Sequence, residues 1–431
     1  MRAHLLSWVP CVTIPSRMRR QTARRFSTTP GTRDFLPPES TRLVEVQERV
    51  RERFRAHGFR EVMTPALEYS EVFEEPRLRD TAFKLFDPDN QMVILRPEMT
   101  TPIARLVAQR LTTSPPPHKL SYSLPVYRRA SVGRGQSAEF HQAGVEVVGS
   151  SSAAEDAGVI SLLVDTLEST GLSTPDDFAV VLGQTAFYEG YLRNAAPEVA
   201  DDLLAALAAK DLVRVEEIAA TLPEDVAAGV RGIPRLVGPA EGGAVIEEAS
   251  RYAGDGEAAE ALANLRAILD HLEAHGCLGA VILDLGLTGR YDYYTGAVYE
   301  AYSPDLGFTV ASGGRYDNLL RGFGEPLPAT GFAISLERLL SLLPHEPDRR
   351  LLVLVGGSVD ATLAARDLRL HGVPVLHLAE DIPQSEAVAY ALSVGAGWIG
   401  YPTMDGVKLS RASGGEPSMC SVDEAAVEVL S

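Results

Sequence analysis

The stretch Phe140, His141, Gln142, Ala143, Gly144, Val145, Glu146, Val147, Val148 decides how this chain is read. Side chains along a strand alternate between two faces. Gln142, Gly144 and Glu146 therefore share one face, and His141, Ala143, Val145 and Val147 share the other. The second face is apolar apart from His141, which predicts burial against a core with His141 as a hydrogen-bonded core histidine rather than a ligand or base. The first face sets an amide and a carboxylate on either side of a glycine. It reads either as the floor of a pocket for a small cationic or polar ligand, or as the solvated face of an edge strand.

Outward from this strand, Lys119 to Val126 and Met92 to Leu95 read as strands and Pro102 to Leu111 and Ala154 to Thr170 as helices, with Pro115, Pro116 and Pro117 as a loop. Leu43, Val46, Val50 and Phe54 recur at helical spacing, which predicts an amphipathic helix from Ser40 to His57, capped by Ser40 and stopped at Gly58. Phe59 to Pro65 then alternates like a strand. Residues from about 190 to 275 are rich in Ala, Glu and Leu and read as a helical insertion (Pro197 to Ala209, Val213 to Thr221, Glu257 to His275). Strand patterns return at Ala280 to Leu285, Ala297 to Tyr302 and Phe308 to Ser312. After Arg349 the order is an apolar strand (Leu351 to Val355), a helix (Ala361 to Leu370), a second apolar strand (Val373 to Leu378), Ser385 to Ser393 and the strand-like Gly397 to Tyr401. This is a βαβ signature. The pattern predicts an α+β protein built on a largely antiparallel sheet with flanking helices, a helical insertion and a small C-terminal α/β domain. The expected division is a leader over 1–30, a main domain over 31–345 and a terminal domain over 346–431.

Composition narrows the function classes. With 45% hydrophobic and 23% charged residues among 431, the chain is an ordinary globular protein. Its formal net charge of −18 opposes general nucleic-acid binding, which depends on neutralising phosphates. No apolar run of about 18 residues predicts a membrane-spanning helix. Cys11, Cys277 and Cys420 have neither CxxC nor zinc-ligand spacing, so neither a metal nor a cofactor is expected, and reduced thiols in a cytoplasmic compartment are. The first 33 residues hold seven arginines and no acid before Asp34. They read as an organelle transit peptide, or as a disordered extension ahead of a later start at Met18.

Four further segments could carry chemistry. Leu95 to Thr100 (LRPEMT) places Glu98 and Thr100 on a loop leaving a strand, a grip for an ammonium group or a solvated turn. Tyr127, Arg128 and Arg129 precede a Gly/Arg loop, where a guanidinium fork suits a carboxylate or phosphate. Gly289 to Gly296 (GRYDYYTG) and Ser312 to Asp317 (SGGRYD) set aromatic rings beside small residues, either walls for a flat group or half-buried strand ends. Gly331 to Arg338 reads as a strand entering a helix, with Arg338 available to a phosphate there.

Together these segments resemble, in order and spacing, the catalytic domain of histidyl-tRNA synthetase, a class II aminoacyl-tRNA synthetase, from about Gly31 to Leu343. The motifs are LRPE at Leu95, FHQAGVEV at Phe140, DYYTG at Asp292 and GGRYD at Gly313. The resemblance implies a histidine pocket in which Glu98 and Thr100 hold the ammonium group, Gln142 and Arg128 the carboxylate side, and Glu146 with Tyr294 the imidazole, with Tyr293 beside them. It also breaks at the nucleotide. The family arginine that acts on the α-phosphate corresponds to Gly289, with Arg290 one residue out of register, which on an extended segment points to the opposite side. The glutamate that holds adenine corresponds to Ala130, an arginine on the nucleotide to Gln136, and a glycine that leaves space for it to Ser335. Each such loss costs roughly 100- to 1000-fold in transition-state stabilisation.

A histidine pocket without ATP machinery is similar to the family of synthetase-like regulatory subunits of ATP phosphoribosyltransferase, which act in the first step of histidine biosynthesis. That resemblance implies a cytoplasmic, non-catalytic homodimer within a hetero-oligomer, docked on the short-form catalytic subunit, with L-histidine as an effector and no tRNA. The family is bacterial, which favours the later start over a transit peptide. The alternatives are an authentic synthetase and a stand-alone histidine sensor. From Leu351 onward, four basic residues (Arg366, Arg369, Lys408, Arg411) face ten acids. An anticodon-binding surface so acidic would repel tRNA.

Overall fold

The computed structural model describes residues 27–129, 137–287, 293–344 and 350–431. Its strands are β1 (Arg60–Glu61), β2 (Leu67–Tyr69), β3 (Lys84–Phe86), β4 (Met92–Leu95), β5 (His118–Tyr127), β6 (Glu139–Val148), β7 (Ala179–Gln184), β8 (Val237–Pro239), β9 (Val281–Asp284), β10 (Ala297–Tyr302), β11 (Ala311–Arg315), β12 (Ala329–Ser335), β13 (Leu352–Val355), β14 (Val375–Leu378), β15 (Trp398–Thr403), β16 (Gly406–Arg411) and β17 (Ser418–Cys420). Nine form one sheet in the order β1-β5-β6-β12-β11-β10-β7-β9-β8. Only β1–β5 and β7–β9 run parallel, so the sheet is largely antiparallel, as the alternation of short strands and helices predicts.

The stretch Phe140 to Val148 lies in β6, inside the sheet between β5 and β12. The edge-strand reading of its polar face therefore fails. Ala143, Val145 and Val147 are fully buried in the main apolar cluster, as the alternation requires. Above that cluster lies the helix Glu39–Ala56, whose Leu43, Val46, Val50 and Phe54 face inward, Phe54 meeting Phe332 edge-on at 5.8 Å. Its start departs from expectation. Pro38 occupies the cap position with no side-chain cap, and Ser40 sits within the first turn. Its end is as expected: Gly58 adopts φ +81°, and Gly58 N–H bonds Arg55 O while Phe59 N–H bonds Phe54 O, a Schellman closure that favours glycine.

The insertion is more than helical. It holds the expected helices at Ala200–Ala208, Leu212–Ala219 and Glu257–Ala274, and adds Glu224–Gly232 and Ala244–Ala253. It also contributes β8, which pairs with β9 at the edge of the sheet. Leu203, Val215, Ile218 and Val230 belong to the same apolar cluster as Phe54. The segment expected as a strand from Phe308 to Ser312 is shifted: β11 starts at Ala311, and Phe308 is an exposed ring beneath the Arg338 guanidinium. The C-terminal part has its own sheet, β14-β13-β15-β16-β17. Its first three strands are parallel, as a βαβ unit requires, and a β-meander completes it. Ser421 and Glu424 form a capping box at the start of the last helix, Val422–Leu430. Among the described residues there is no helix long and apolar enough to cross a membrane, and no acidic, histidine or cysteine cluster able to hold a metal.

Arg315, from the GGRYD segment, turns away from the polar face of the sheet. Its Nε and Nη2 each lie 2.9 Å from one oxygen of Asp156, on the helix Ala153–Ser169, and its Nη1 bonds Ser150 O at 3.0 Å. The Asp156 side chain is fully buried and that of Arg315 nearly so. Removing the acid leaves the buried guanidinium with Ser150 O and the partly exposed Asp317, 3.1 Å from Nη1, and takes away its bidentate buried partner. Asp156→Ala should therefore lower unfolding free energy by about 3–5 kcal/mol in denaturant titrations, and a loss under about 1 kcal/mol would contradict this account.

Candidate functional site

Register builds the site. On β6, Glu146 pairs across the backbone with Gly331 of β12 and Leu120 of β5, and Gly144 pairs with Ala333 and Tyr122. Glycine at these levels is a steric requirement. A Cβ on Gly331 would lie 1.9 Å from Glu146 Oε2, and one on Gly144 would lie 2.4 Å from Tyr122 Oη. A Cβ on Gly314 would meet the Tyr294 ring at 2.7 Å. The side chains so accommodated, Glu146, Tyr122 and Tyr294, line a cavity that opens to solvent. All seven expected residues, Glu98, Thr100, Arg128, Gln142, Glu146, Tyr293 and Tyr294, line it.

Their hydrogen bonds are more specific than the resemblance implies. Glu98 folds back on the helix Thr100–Arg110, where its oxygens accept from the Thr100 and Thr101 amides at 2.6 and 2.9 Å. It caps that helix, where a carboxylate also meets the positive end of the dipole. The Thr100 hydroxyl donates to Glu146 Oε1 at 2.8 Å, so it is directed at the carboxyl expected to hold a ring. Arg128 donates through Nε to Pro97 O at 2.6 Å, with its guanidinium over the Phe140 ring. Gln142 Oε1 is buried without a hydrogen-bond partner among the described residues, an acceptor open to a donor from the cavity. Tyr293 tilts against Tyr294 at 5.0 Å and meets Tyr316 edge-on at 5.8 Å, forming an aromatic wall.

The loop that carries Glu98 is held by Arg96. This buried guanidinium donates to the carbonyls of Thr64 (2.7 Å), Pro65 (3.1 Å) and Pro125 (2.9 Å). Burial lowers its pKa. Glu146 is enclosed at 1% exposure, and burial pushes its carboxyl up to about 8, against the opposing effect of hydrogen bonds from Tyr316 and Thr100. At neutral pH it is largely protonated.

Two cavity residues have no role in the sequence reading. Tyr316 lies inside the quoted GGRYD motif, and its hydroxyl bonds Glu146 Oε2. Tyr122 lies on β5, and only the pairing of β5 with β6 brings it over Gly144. Other sequence candidates work elsewhere. His141 is half-buried rather than a core residue; its Nδ1 and its backbone N–H both meet Glu337, at 2.9 and 2.8 Å. Arg338 donates to Thr309 O at 2.6 Å, so it is not held out toward a phosphate. Ser335 ends β12, its amide bonded to Val310 O. Ala130, Gln136, Gly289, Arg290 and Asp292, together with leader residues 1–26, lie outside the described residues.

The histidyl-tRNA synthetase family profile matches residues 31–339. A protein of Rubrobacter xylanophilus called ATP phosphoribosyltransferase regulatory subunit is 69% identical over 96% of this chain and 100% of its own length. One of the same name from Moorella thermoacetica is 40% identical over 86% of this chain and 97% of its own. Among solved structures, one from Bacillus halodurans described as an ATP phosphoribosyltransferase regulatory subunit/histidyl-tRNA synthetase superposes with a TM-score of 0.78 at 31% identity, covering 88% of this chain and 98% of that one. Histidyl-tRNA synthetase from Nostoc shares the fold, with a TM-score of 0.79 at 21% identity over 94% of this chain and 99% of that one. The fold and these likenesses agree: the chain belongs to the ATP phosphoribosyltransferase regulatory subunits, a family built on the histidyl-tRNA synthetase fold.

Proposed function

We propose that this chain is a non-catalytic regulatory subunit, required for the full activity of a short-form ATP phosphoribosyltransferase catalytic subunit in the first step of histidine biosynthesis. It works in the cytoplasm as a homodimer within a hetero-oligomer, takes L-histidine as its effector and binds no tRNA. The observation that carries the reading is a cavity lined by Glu98, Arg128, Gln142, Glu146 and tyrosine rings in a chain that has Gly289, Ala130 and Gln136 where the resemblance to a synthetase calls for charged side chains. The acidic C-terminal part supports the same conclusion, because it would repel a polyanion. Histidine can inhibit the complex only by binding better to its less active form, so inhibition requires the cavity to differ between two states of the assembly.

Mixing the purified chain with a short-form catalytic subunit should give co-elution and a several-fold rise in phosphoribosyl-ATP formation that added histidine reverses. Absence of both stimulation and co-elution would refute the proposal. Within the cavity, Glu146→Ala should weaken histidine binding by about 10- to 100-fold in calorimetry, the range expected for a hydrogen bond to a charged group, while leaving the homodimer intact. Gly331→Ala pushes a methyl group into the Glu146 carboxyl and should abolish histidine binding; wild-type affinity in this variant would show that histidine binds elsewhere.

A further inference from the structure

The surroundings of Glu146 are unusual for a carboxyl meant to meet a basic ring. Its two oxygens face hydroxyl groups, Thr100 on one side and Tyr316 on the other, and the Gly331 backbone closes the space behind it. Around the cavity, Glu98 and Arg128 are the charged groups, and Tyr122, Tyr293 and Tyr294 are the titratable ones in the walls. Tyr299 lies beneath, its own hydroxyl bonded to Gly331 O at 2.9 Å. The influences on the Glu146 charge are burial, the two hydroxyls and the nearby Glu98; none of these is a cation. A carboxyl so placed keeps its proton while the cavity is empty.

We propose that Glu146 passes this proton to the basic ring nitrogen of the incoming amino acid, so that the site selects its ligand by basicity as well as by shape. The step is balanced: the carboxyl O–H bond breaks, an N–H bond forms on the ring, and carboxylate and imidazolium result with no proton exchanged with solvent. Thr100 and Tyr316 then both donate to the carboxylate, as charge-assisted hydrogen bonds. The transfer runs uphill from a carboxyl at about 8 to an imidazole at about 6.5, a cost of roughly thirtyfold. Attraction between the two charges at contact distance in a water-poor cavity exceeds that cost. The inference rests on the histidine reading above.

The pH dependence follows. Between about 6.5 and about 8 the empty carboxyl is protonated and the free ring is neutral, so affinity is flat. Above about 8 the empty site is already ionised and binding must draw a proton from solvent, so affinity falls about tenfold per pH unit. Below about 6.5 the free ring is already charged and binding releases the Glu146 proton, so affinity falls again as pH drops.

The test is calorimetry of L-histidine binding to the full chain, in pairs of buffers with different heats of ionisation. Proton exchange should be near zero at pH 7. At pH 9 the wild type should take up close to one proton more than Glu146→Gln, which keeps the shape but has no titrating proton. An independent arm needs no variant: 1,2,4-triazolylalanine, similar in shape with a far less basic ring, should bind at least about tenfold more weakly than histidine at pH 7. Histidine binding without extra proton uptake at pH 9, or equal affinity for the triazole analogue, would overturn the inference while leaving the histidine site standing. No histidine binding at any pH would overturn both.

Discussion

A carboxyl buried in the middle of a sheet has to be satisfied by something, and in this protein it is satisfied by neutral hydroxyls rather than by a cation. Most of the cavity architecture serves that condition. Thr100 reaches Glu146 because Glu98 starts the helix at that threonine, and Tyr316 reaches it because β11 ends just before the tyrosine. Gly331 stands opposite because any side chain there would occupy the carboxyl's space. An unpaired charge at this depth would be unstable, whereas a neutral acid between two hydroxyls is tolerated.

The sheet turns this local condition into a site. Because β6 has a neighbour on each side, its two faces do separate work over the same residues: Ala143, Val145 and Val147 seal the core while Gln142 and Glu146 line the cavity, with Gly144 between them beneath the Tyr122 ring. Arg96 ties the loop after β4 to three carbonyls from two other segments, so the helix that presents Thr100 is fixed relative to β5. The cavity is thus held by buried groups.

Much of this was legible in the chain. The two-residue alternation in Phe140 to Val148 is enough to place Gln142 and Glu146 in the cavity, since a strand's period is a local property. Helices such as Glu257–Ala274 follow from spacing for the same reason. What escaped depends on pairing between distant segments. Tyr122 enters the site only through the β5–β6 register, and Tyr316 only because β11 runs beside β12. The strands β7 and β8 went unread: β7 is a short apolar run before a helix, and β8 is three residues long inside an otherwise helical segment. Ser40 is not the cap because Pro38 takes that position two residues earlier. Glu98 was expected to serve a ligand; that its oxygens are also the cap of the next helix is visible only from geometry.

The buried pair of Arg315 and Asp156 has one more consequence. Arg315 precedes Tyr316 in the chain, so the residue that locks β11 to the helix beneath the sheet is adjacent to the residue that completes the carboxyl's surroundings above it. The cavity and the core therefore share a hinge of two residues and cannot drift independently over evolutionary time. A lineage that abandoned aminoacylation could lose its nucleotide contacts one at a time. It could not relax this part of the cavity without also loosening the fold, so a binding function could persist there long after the chemistry had gone.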